Sequence, residues 1–181
     1  MRRISITGSS GSGKSTLARE LSEVLGTVHV ELDALHHQPG WTPRPSDEFQ
    51  ADLAERIAGD AWIVDGNYTT LSRPLVWAAV DTVIWLDLPL RVVMRQVIGR
   101  TFGRLWDREV LWNGNRERWW NMIDPRPAEN VILWAFTRHA RKRASMTAAM
   151  SDPRWAHIDF VQLRSRGDVA AWLDQVRQSR G

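Results

Sequence analysis

The residues most able to do chemistry in this sequence form one short loop near its start. Gly8-Ser9-Ser10-Gly11-Ser12-Gly13-Lys14-Ser15 satisfies the phosphate-binding pattern G-x-x-x-x-G-K-[ST], and Thr16 follows it. Glycines in such a loop let backbone N–H groups turn inward around an anion, and the N-terminus of the next helix adds its positive dipole end. We therefore predict that Gly8 to Thr16 bind a nucleotide. Lys14 would reach its β- and γ-phosphates, and the Ser15 hydroxyl would reach Mg²⁺.

The residues on either side of the loop supply the elements that would hold it. Arg3 to Thr7 is typical of a short buried strand. After Lys14 the apolar residues recur at the spacing of one helix face, at Leu17, Leu21, Val24 and Leu25. A Gly/Ser-rich turn that matches the pattern by accident is the alternative, and the flanking strand and helix argue against it.

Strands and helices alternate along the rest of the chain. Short apolar runs at 28–32, 62–66, 82–86 and 157–163 predict strands, with amphipathic helical patterns between them. This alternation predicts an α/β domain with a parallel sheet covered by helices on both faces. The helical pattern that starts at Leu90 breaks at Gly99, so we predict a lid-like mobile excursion at about 99–118 within one domain spanning 1–181.

Composition narrows the class of protein further. The absence of cysteine excludes disulfides and thiolate metal sites. No apolar run is long enough to span a bilayer. We therefore expect a cytoplasmic protein without a membrane partner. The net charge of +3 is too small by itself to predict nucleic-acid binding. Lys14 and Lys142 are the two lysines among 24 basic residues, and the others are arginine. A lysine at the P-loop position is therefore informative in this chain.

Further segments, read with the P-loop, carry a family resemblance. They are Trp62-Ile63-Val64-Asp65-Gly66-Asn67-Tyr68, the run from Ala79 to Pro89 that follows Arg73, and an arginine-rich stretch near 100–118. The chain resembles small P-loop kinases of the adenylate kinase-like superfamily, and among them the bacterial adenylate kinase-related "DNA topology modulation" proteins. The resemblance covers nearly the whole chain. It implies a three-layer P-loop NTPase fold, with a five-stranded parallel sheet in the order 2-3-1-4-5 and a helical lid.

The same resemblance assigns roles to two acidic residues. Asp65 matches the acid that ends strand three in nucleoside monophosphate kinases, where it would orient Mg²⁺ through water. Asp33 lies where related kinases place an acid that contacts the acceptor, and it would receive the acceptor's hydroxyl proton. A turn role for Asp65 beside Gly66 and a capping role for Asp33 are the alternatives. Asp87 is the second candidate for the acid beside the metal.

Basic and polar residues complete the predicted site. Asn67 and Tyr68 replace the Pro-Arg of adenylate kinases, so the resemblance does not imply AMP as acceptor, and with Arg73 they are predicted to shape the acceptor pocket. Phosphoryl transfer also needs positive charge near the γ-phosphate. The candidates are arginines of the predicted lid, each of which has a solvated basic face as its alternative: Arg100, Arg104, Arg108, Arg116 and Arg118.

These features predict a Mg-ATP-dependent phosphotransferase that acts on a small hydroxyl- or phosphate-bearing acceptor. ATP is favoured over GTP because the sequence has no N-K-x-D string. The alternative is an ATP-binding regulator of DNA or a protein partner with slow or no hydrolysis, for which the basic helix face from Arg138 to Arg143 is the supporting feature. No helix-turn-helix or other recognised DNA-binding pattern occurs. The acceptor's identity and the oligomeric state stay open.

Overall fold

The computed structural model describes residues 1–107, 109–117, 124–126 and 130–179. In these ranges five parallel strands form one sheet in the order β2-β3-β1-β4-β5, which confirms the predicted order. The strands are β1 (Arg3–Gly8), β2 (Val28–Glu31), β3 (Trp62–Asp65), β4 (Thr82–Leu86) and β5 (Asp159–Leu163). Since all strands run the same way, their carboxyl ends meet at one edge, which is where ligands bind in open α/β sheets.

Helices connect the strands and cover both faces of the sheet. They are α1 (Lys14–Leu25), α2 (Leu32–His36), α3 (Ser46–Arg56), α4 (Arg73–Ala79), α5 (Leu90–Trp106), α6 (Val131–Met150) and α7 (Arg166–Gln178). Short 3₁₀ turns occur at Pro39–Trp41, Trp112–Gly114 and Pro153–Trp155. No helix within the described ranges is long and apolar enough to cross a membrane.

Strand β1 shows how the two faces of the sheet differ. Ile4 and Ile6 are fully buried and face the cluster formed with α1 and α7. Ser5 and Thr7 alternate with them and therefore face the other side, where α4 and α6 pack. A strand that is apolar on one face and hydroxyl-bearing on the other leaves polar groups beside the P-loop, and these contribute to the site described below.

Helix α5 extends further than the sequence pattern predicted. It runs to Trp106, so the predicted break at Gly99 was wrong, and a lid could begin only after Trp106. The buried stripe continues through the supposed break because Thr101 and Leu105 extend the line begun by Val97, and Thr101 is only 2% exposed. Of the predicted lid arginines, Arg108 and Arg118 lie outside the described residues.

Candidate active site

The P-loop lies between the end of β1 and the start of α1. Gly11 and Gly13 have φ angles of 77° and 91°, a left-handed backbone that favours glycine. A side chain at Gly11 would also place its Cβ 2.2 Å from Cγ2 of Val97, so α5 packs directly against the loop. Helix α1 begins at Lys14, which puts its N-terminus at the loop. The local geometry is that of an anion-binding cradle.

Lys14 folds back over this cradle. Its Nζ donates to the carbonyl oxygen of Ser9 at 3.3 Å. Burial lowers the pKa of Lys14, and the carboxylates of Asp33 and Asp65 oppose that change. Both acids that the sequence singled out therefore act electrostatically on Lys14, and Asp33 lines the same cleft as Lys14.

Ser15 is held by two carboxylates at the strand ends. Its Oγ lies 2.6 Å from Oδ2 of Asp65 and 3.2 Å from Oε1 of Glu31. Asp65 is 2% exposed, and its other oxygen lies 3.0 Å from Nε2 of His29. Glu31 was not predicted, although it pairs directly with Asp65 in the parallel register of β2 and β3. Reading which acids share a register position would have found it.

The oxygen atoms of Ser15, Asp65 and Glu31 fit Mg²⁺, which prefers oxygen ligands and keeps several waters. Across the described part of the chain no group of three or more His, Cys, Asp or Glu is arranged to hold a metal ion. The site thus suits an ion that is bound jointly by one or two carboxylates and by the phosphates of a nucleotide, and not one caged by protein alone.

Asp33 lies in the first turn of α2 and is not its N-cap, a position that Glu31 occupies. The hydroxyl of Tyr68 donates to Oδ1 of Asp33 at 2.8 Å and lies 3.4 Å from Nε2 of His37. Burial and the neighbouring Asp33 carboxylate raise the pKa of Tyr68, so the phenol stays protonated and keeps donating. Two residues predicted for the acceptor side are therefore joined directly.

Asn67 connects the P-loop to α6. Its Nδ2 donates to the carbonyl oxygen of Gly8 at 2.7 Å, and its Oδ1 accepts from Thr7 Oγ1 at 3.3 Å and from Lys142 Nζ. Sequence reasoning placed Lys142 on an exposed basic face of α6 and missed this position. The available signal was its residue type, since Lys142 is the one lysine of the chain besides Lys14.

Arg73 is the first residue of α4, and it lines a small cavity together with Asn67 and Lys142. Its guanidinium carbon lies 4.3 Å from the ring centroid of Trp77, and its Nη2 lies 3.6 Å from Sδ of Met146. Burial lowers the pKa of Arg73. The aromatic ring and the thioether hold Arg73 in place. Neither carries a negative charge, so they do not compensate the charge of the guanidinium.

The lid arginines divide into two kinds. Arg100 reaches the P-loop, where its Nη2 donates to Oγ of Ser10 at 3.4 Å, and burial lowers its pKa. Arg104 instead pairs with Glu117 at 3.2 Å and with Glu109 at 3.3 Å, so its charge is engaged within the predicted lid. The side chain of Arg116 is exposed. Of these, Arg100 is the arginine closest to where a nucleotide phosphate would lie.

A cleft of about 1130 Å³ brings the predicted phosphate-binding residues together with Asp33. It is lined by residues of the P-loop, of the segment after β2 and of α5. They include Lys14, Ser15, Asp33, Arg100 and Arg104. Asn67 and Arg73 border the smaller cavity, and Tyr68 reaches the cleft through Asp33.

A P-loop between the first strand and helix of a parallel 2-3-1-4-5 sheet, with acids at the neighbouring strand ends, defines the P-loop kinase class of fold. The chain belongs to the AAA domain family, whose profile matches residues 4–146. The curated relatives it matches are nucleotide and small-molecule kinases. One is a dephospho-CoA kinase of Bifidobacterium longum (strain NCC 2705), 36% identical over 90 residues, or 46% of this chain and 43% of the relative.

Two further comparisons cover more of the chain. A cytidylate kinase of Pyrococcus horikoshii is 29% identical over 137 residues, which are 66% of this chain and 70% of the relative. The solved shikimate kinase from Acinetobacter baumannii in complex with shikimate superposes with a TM-score of 0.59 at 14% identity, covering 99% of this chain and 92% of that one, and shows the shared fold. The match spans less than half of the dephospho-CoA kinase. Together the relatives support a phosphotransferase of this general kind.

Proposed function

We propose that this protein is a Mg-ATP-dependent phosphotransferase that moves the γ-phosphoryl group of ATP to a small acceptor bearing a hydroxyl or phosphate group. The observation that carries the proposal is the position of Asp33 opposite the P-loop. Asp33 and Lys14 line the same cleft, and Asp33 is the charge that acts most strongly on Lys14. A phosphate held by Lys14 would therefore face the carboxylate best placed to receive an acceptor.

The chain's own residues divide the work of transfer. Lys14 and Arg100 would balance the charge of the phosphates, and Ser15 with Asp65 and Glu31 would hold Mg²⁺. In transfer to a hydroxyl, the acceptor oxygen forms a bond to the γ-phosphorus while the bond from that phosphorus to the bridging oxygen breaks and ADP leaves. The hydroxyl proton passes to Asp33. A phosphate acceptor needs no such proton transfer.

Tyr68 supports this role of Asp33 by orienting its carboxylate. The phenol donates to Oδ1, and within the described residues Oδ2 has no hydrogen-bond partner. One oxygen is thus fixed while the other can accept from a substrate hydroxyl. A carboxylate that is already positioned does not have to be ordered during the reaction, which is how such sites gain rate.

Within the kinases we place the chain in the adenylate kinase-like superfamily, near the proteins called topology modulation proteins. The DNA-binding alternative loses part of its basis in α6. Lys142 points to Asn67, and Arg143 pairs with the buried Asp87 at 3.1 Å. Arg143 is itself 59% exposed, but its charge is engaged by Asp87. Arg138 and Arg141 are the exposed arginines of that helix face without an ion pair among the described residues. Two such arginines give little of the charge that nucleic-acid binding requires.

A coupled ADP-release assay tests the proposal across nucleoside monophosphates, nucleosides, sugars and small hydroxy acids. We expect one class to stimulate ADP release well above the rate without acceptor, and Lys14→Ala to abolish the stimulated rate. Circular dichroism of Lys14→Ala serves as the folding control. Normal turnover by a folded Lys14→Ala variant, or salt-dependent DNA binding without any acceptor-stimulated turnover, would refute the kinase assignment.

A further inference from the structure

The carboxylate of Asp65 is held at both of its oxygen atoms. Oδ2 lies 2.6 Å from Oγ of Ser15, and Oδ1 lies 3.0 Å from Nε2 of His29. Asp65 is only 2% exposed, and among the described residues Ser15 and His29 are the side chains that hydrogen-bond to its carboxylate. The proposed transfer reaction uses Ser15 and Asp65 but gives His29 no role.

Strand β2 places His29 on the same face of the sheet as Glu31. Residues two apart on a strand share a face, and Val30 between them is buried in the apolar cluster on the opposite face. In the parallel register His29 pairs with Ile63, which shares its face with Asp65. His29 therefore reaches Asp65 from the neighbouring strand. Its side chain is 20% exposed and lines the main cleft.

The hydroxyl of Ser15 has one hydrogen and two carboxylates within its reach. Its Oγ lies 2.6 Å from Asp65 and 3.2 Å from Glu31. A hydroxyl donates one hydrogen bond, and the shorter contact identifies Asp65 as the acceptor. When the hydrogen points to Asp65, the Ser15 oxygen keeps its lone pairs for Mg²⁺, and Glu31 stays available to the ion or to its water.

We propose that His29 is a positioning residue that fixes Asp65 as the acceptor of the Ser15 hydroxyl hydrogen. A carboxylate only accepts hydrogen bonds, so Nε2 of His29 carries the hydrogen of this contact. The bond keeps the carboxylate of Asp65 from turning away from Ser15. This inference rests on the proposed function, because His29 acts on Mg²⁺ binding and through it on the nucleotide. Residues that hold a metal's ligands in this way contribute roughly 10- to 100-fold to metal affinity.

A purely structural role for His29 makes a different prediction. If His29 only satisfied a buried carboxylate, its loss would lower the melting temperature, and any loss of nucleotide affinity would be the same with and without Mg²⁺. If His29 positions Asp65 for the metal, nucleotide affinity falls only when Mg²⁺ is present. The ratio of the two affinities separates these roles even where a variant is less stable than the wild type.

The test is a calorimetric titration with the β,γ-imido analogue of ATP, carried out once in EDTA and once in saturating Mg²⁺. The quantity compared between variants is the factor by which Mg²⁺ increases the affinity for the analogue. We expect this factor to fall roughly tenfold or more in His29→Phe and His29→Ala, which lack the donor, with the affinity in EDTA unchanged. His29→Gln, whose amide N–H can donate to Asp65, should recover most of the factor.

His139→Phe is the matched control, because His139 is also half-buried and its Nε2 also makes a 3.0 Å contact, but with the carbonyl oxygen of Leu88. Its increase in affinity with Mg²⁺ should equal that of the wild type. A wild-type increase in folded His29→Phe or His29→Ala, or a loss in His29→Gln as large as in those variants, would overturn the inference. A wild type that does not bind the analogue, or binds it equally with and without Mg²⁺, would instead refute the proposed function, so the two failures are distinguishable.

Discussion

Asn115 joins the segment after α5 to the loop after α2, and its removal should loosen the cover over the acceptor side of the cleft. Its Oδ1 accepts from the backbone nitrogen of Trp41 at 3.0 Å, and its Nδ2 donates to the carbonyl oxygen of Gln38 at 2.9 Å. The side chain is buried, with Asn115 only 5% exposed. Asn115→Ala removes both hydrogen bonds, each with a net contribution of about 0.5–1.5 kcal/mol.

The summed loss of about 1–3 kcal/mol corresponds to a roughly 5- to 150-fold shift toward the undocked arrangement, since about 1.4 kcal/mol is a factor of ten. We expect the KM for the acceptor to rise by about tenfold or more within this range, with the KM for ATP nearly unchanged. ATP hydrolysis without acceptor should increase, because an open cover excludes water less well. Hydrogen exchange at the amide of Trp41 should accelerate in parallel.

Gln50→Ala is the control, because the exposed Gln50 amide also donates to a backbone carbonyl, that of Leu71, at 3.2 Å, but away from this contact. It should leave acceptor KM and Trp41 exchange as in the wild type. If Asn115→Ala changed neither quantity, the two segments would not act together as a cover, and the reasoning would be refuted.

Four further substitutions have expected outcomes of their own. Asp33→Asn should lower kcat for a hydroxyl acceptor by about 10²- to 10⁴-fold with little change in the KM for ATP, and an unchanged kcat in steady-state assays would exclude Asp33 as the base. Gly11→Ala should destabilise the fold by roughly 1–3 kcal/mol in urea titrations because of its φ of 77° and the 2.2 Å approach to Val97. Gly99→Ala, in an open part of α5, should be neutral or stabilising instead. Lys142→Met should have a larger free energy of unfolding than the wild type at neutral pH. This difference should shrink as the pH rises toward 10.5, the usual pKa of lysine, because the pKa of Lys142 is lowered well below that value in the folded protein. The difference shrinks because Lys142 binds its proton more tightly in the unfolded chain than in the folded protein, so raising the pH stabilises the wild type. A difference in urea midpoints that grew with pH would contradict this expectation.

The parts of this protein that the sequence predicted are those whose signals are local. The P-loop pattern, the alternation of strands and helices, and the acid Asp65 that ends β3 each occupy a few adjacent residues. Parallel strands bring their carboxyl ends to one edge of the sheet. The acid at the end of β3 therefore lies near the P-loop that follows β1, and Asp65 contacts Ser15. The strand order came from a family resemblance and the structure confirms it.

The parts that were missed depend on contacts between distant positions. The extent of α5 depends on Thr101, a polar residue that the apolar pattern ignored but that is buried in the helix stripe. Asn67 and Lys142 are 75 positions apart, and Trp41 and Asn115 are 74 apart. No periodicity within a segment encodes such pairs, because they are set by how α6 and the segment after α5 pack on the sheet. The proposed acceptor side of the site is made largely of these contacts.

The choice of lysine at position 142 follows from the space available to it. All but two of the 24 basic residues in this chain are arginine. Both lysines nevertheless lie near the P-loop, where the charge of Lys14 lowers the pKa of Lys142. A guanidinium is planar, more bulky and always charged, whereas an ammonium is a compact charge whose pKa shifts readily on burial. In a cavity of about 20 Å³ that also borders Arg73, the bulkier guanidinium of an arginine at position 142 would have less room than the compact ammonium. Lysine also limits the cost of burying its charge, because burial and the neighbouring cations lower its pKa.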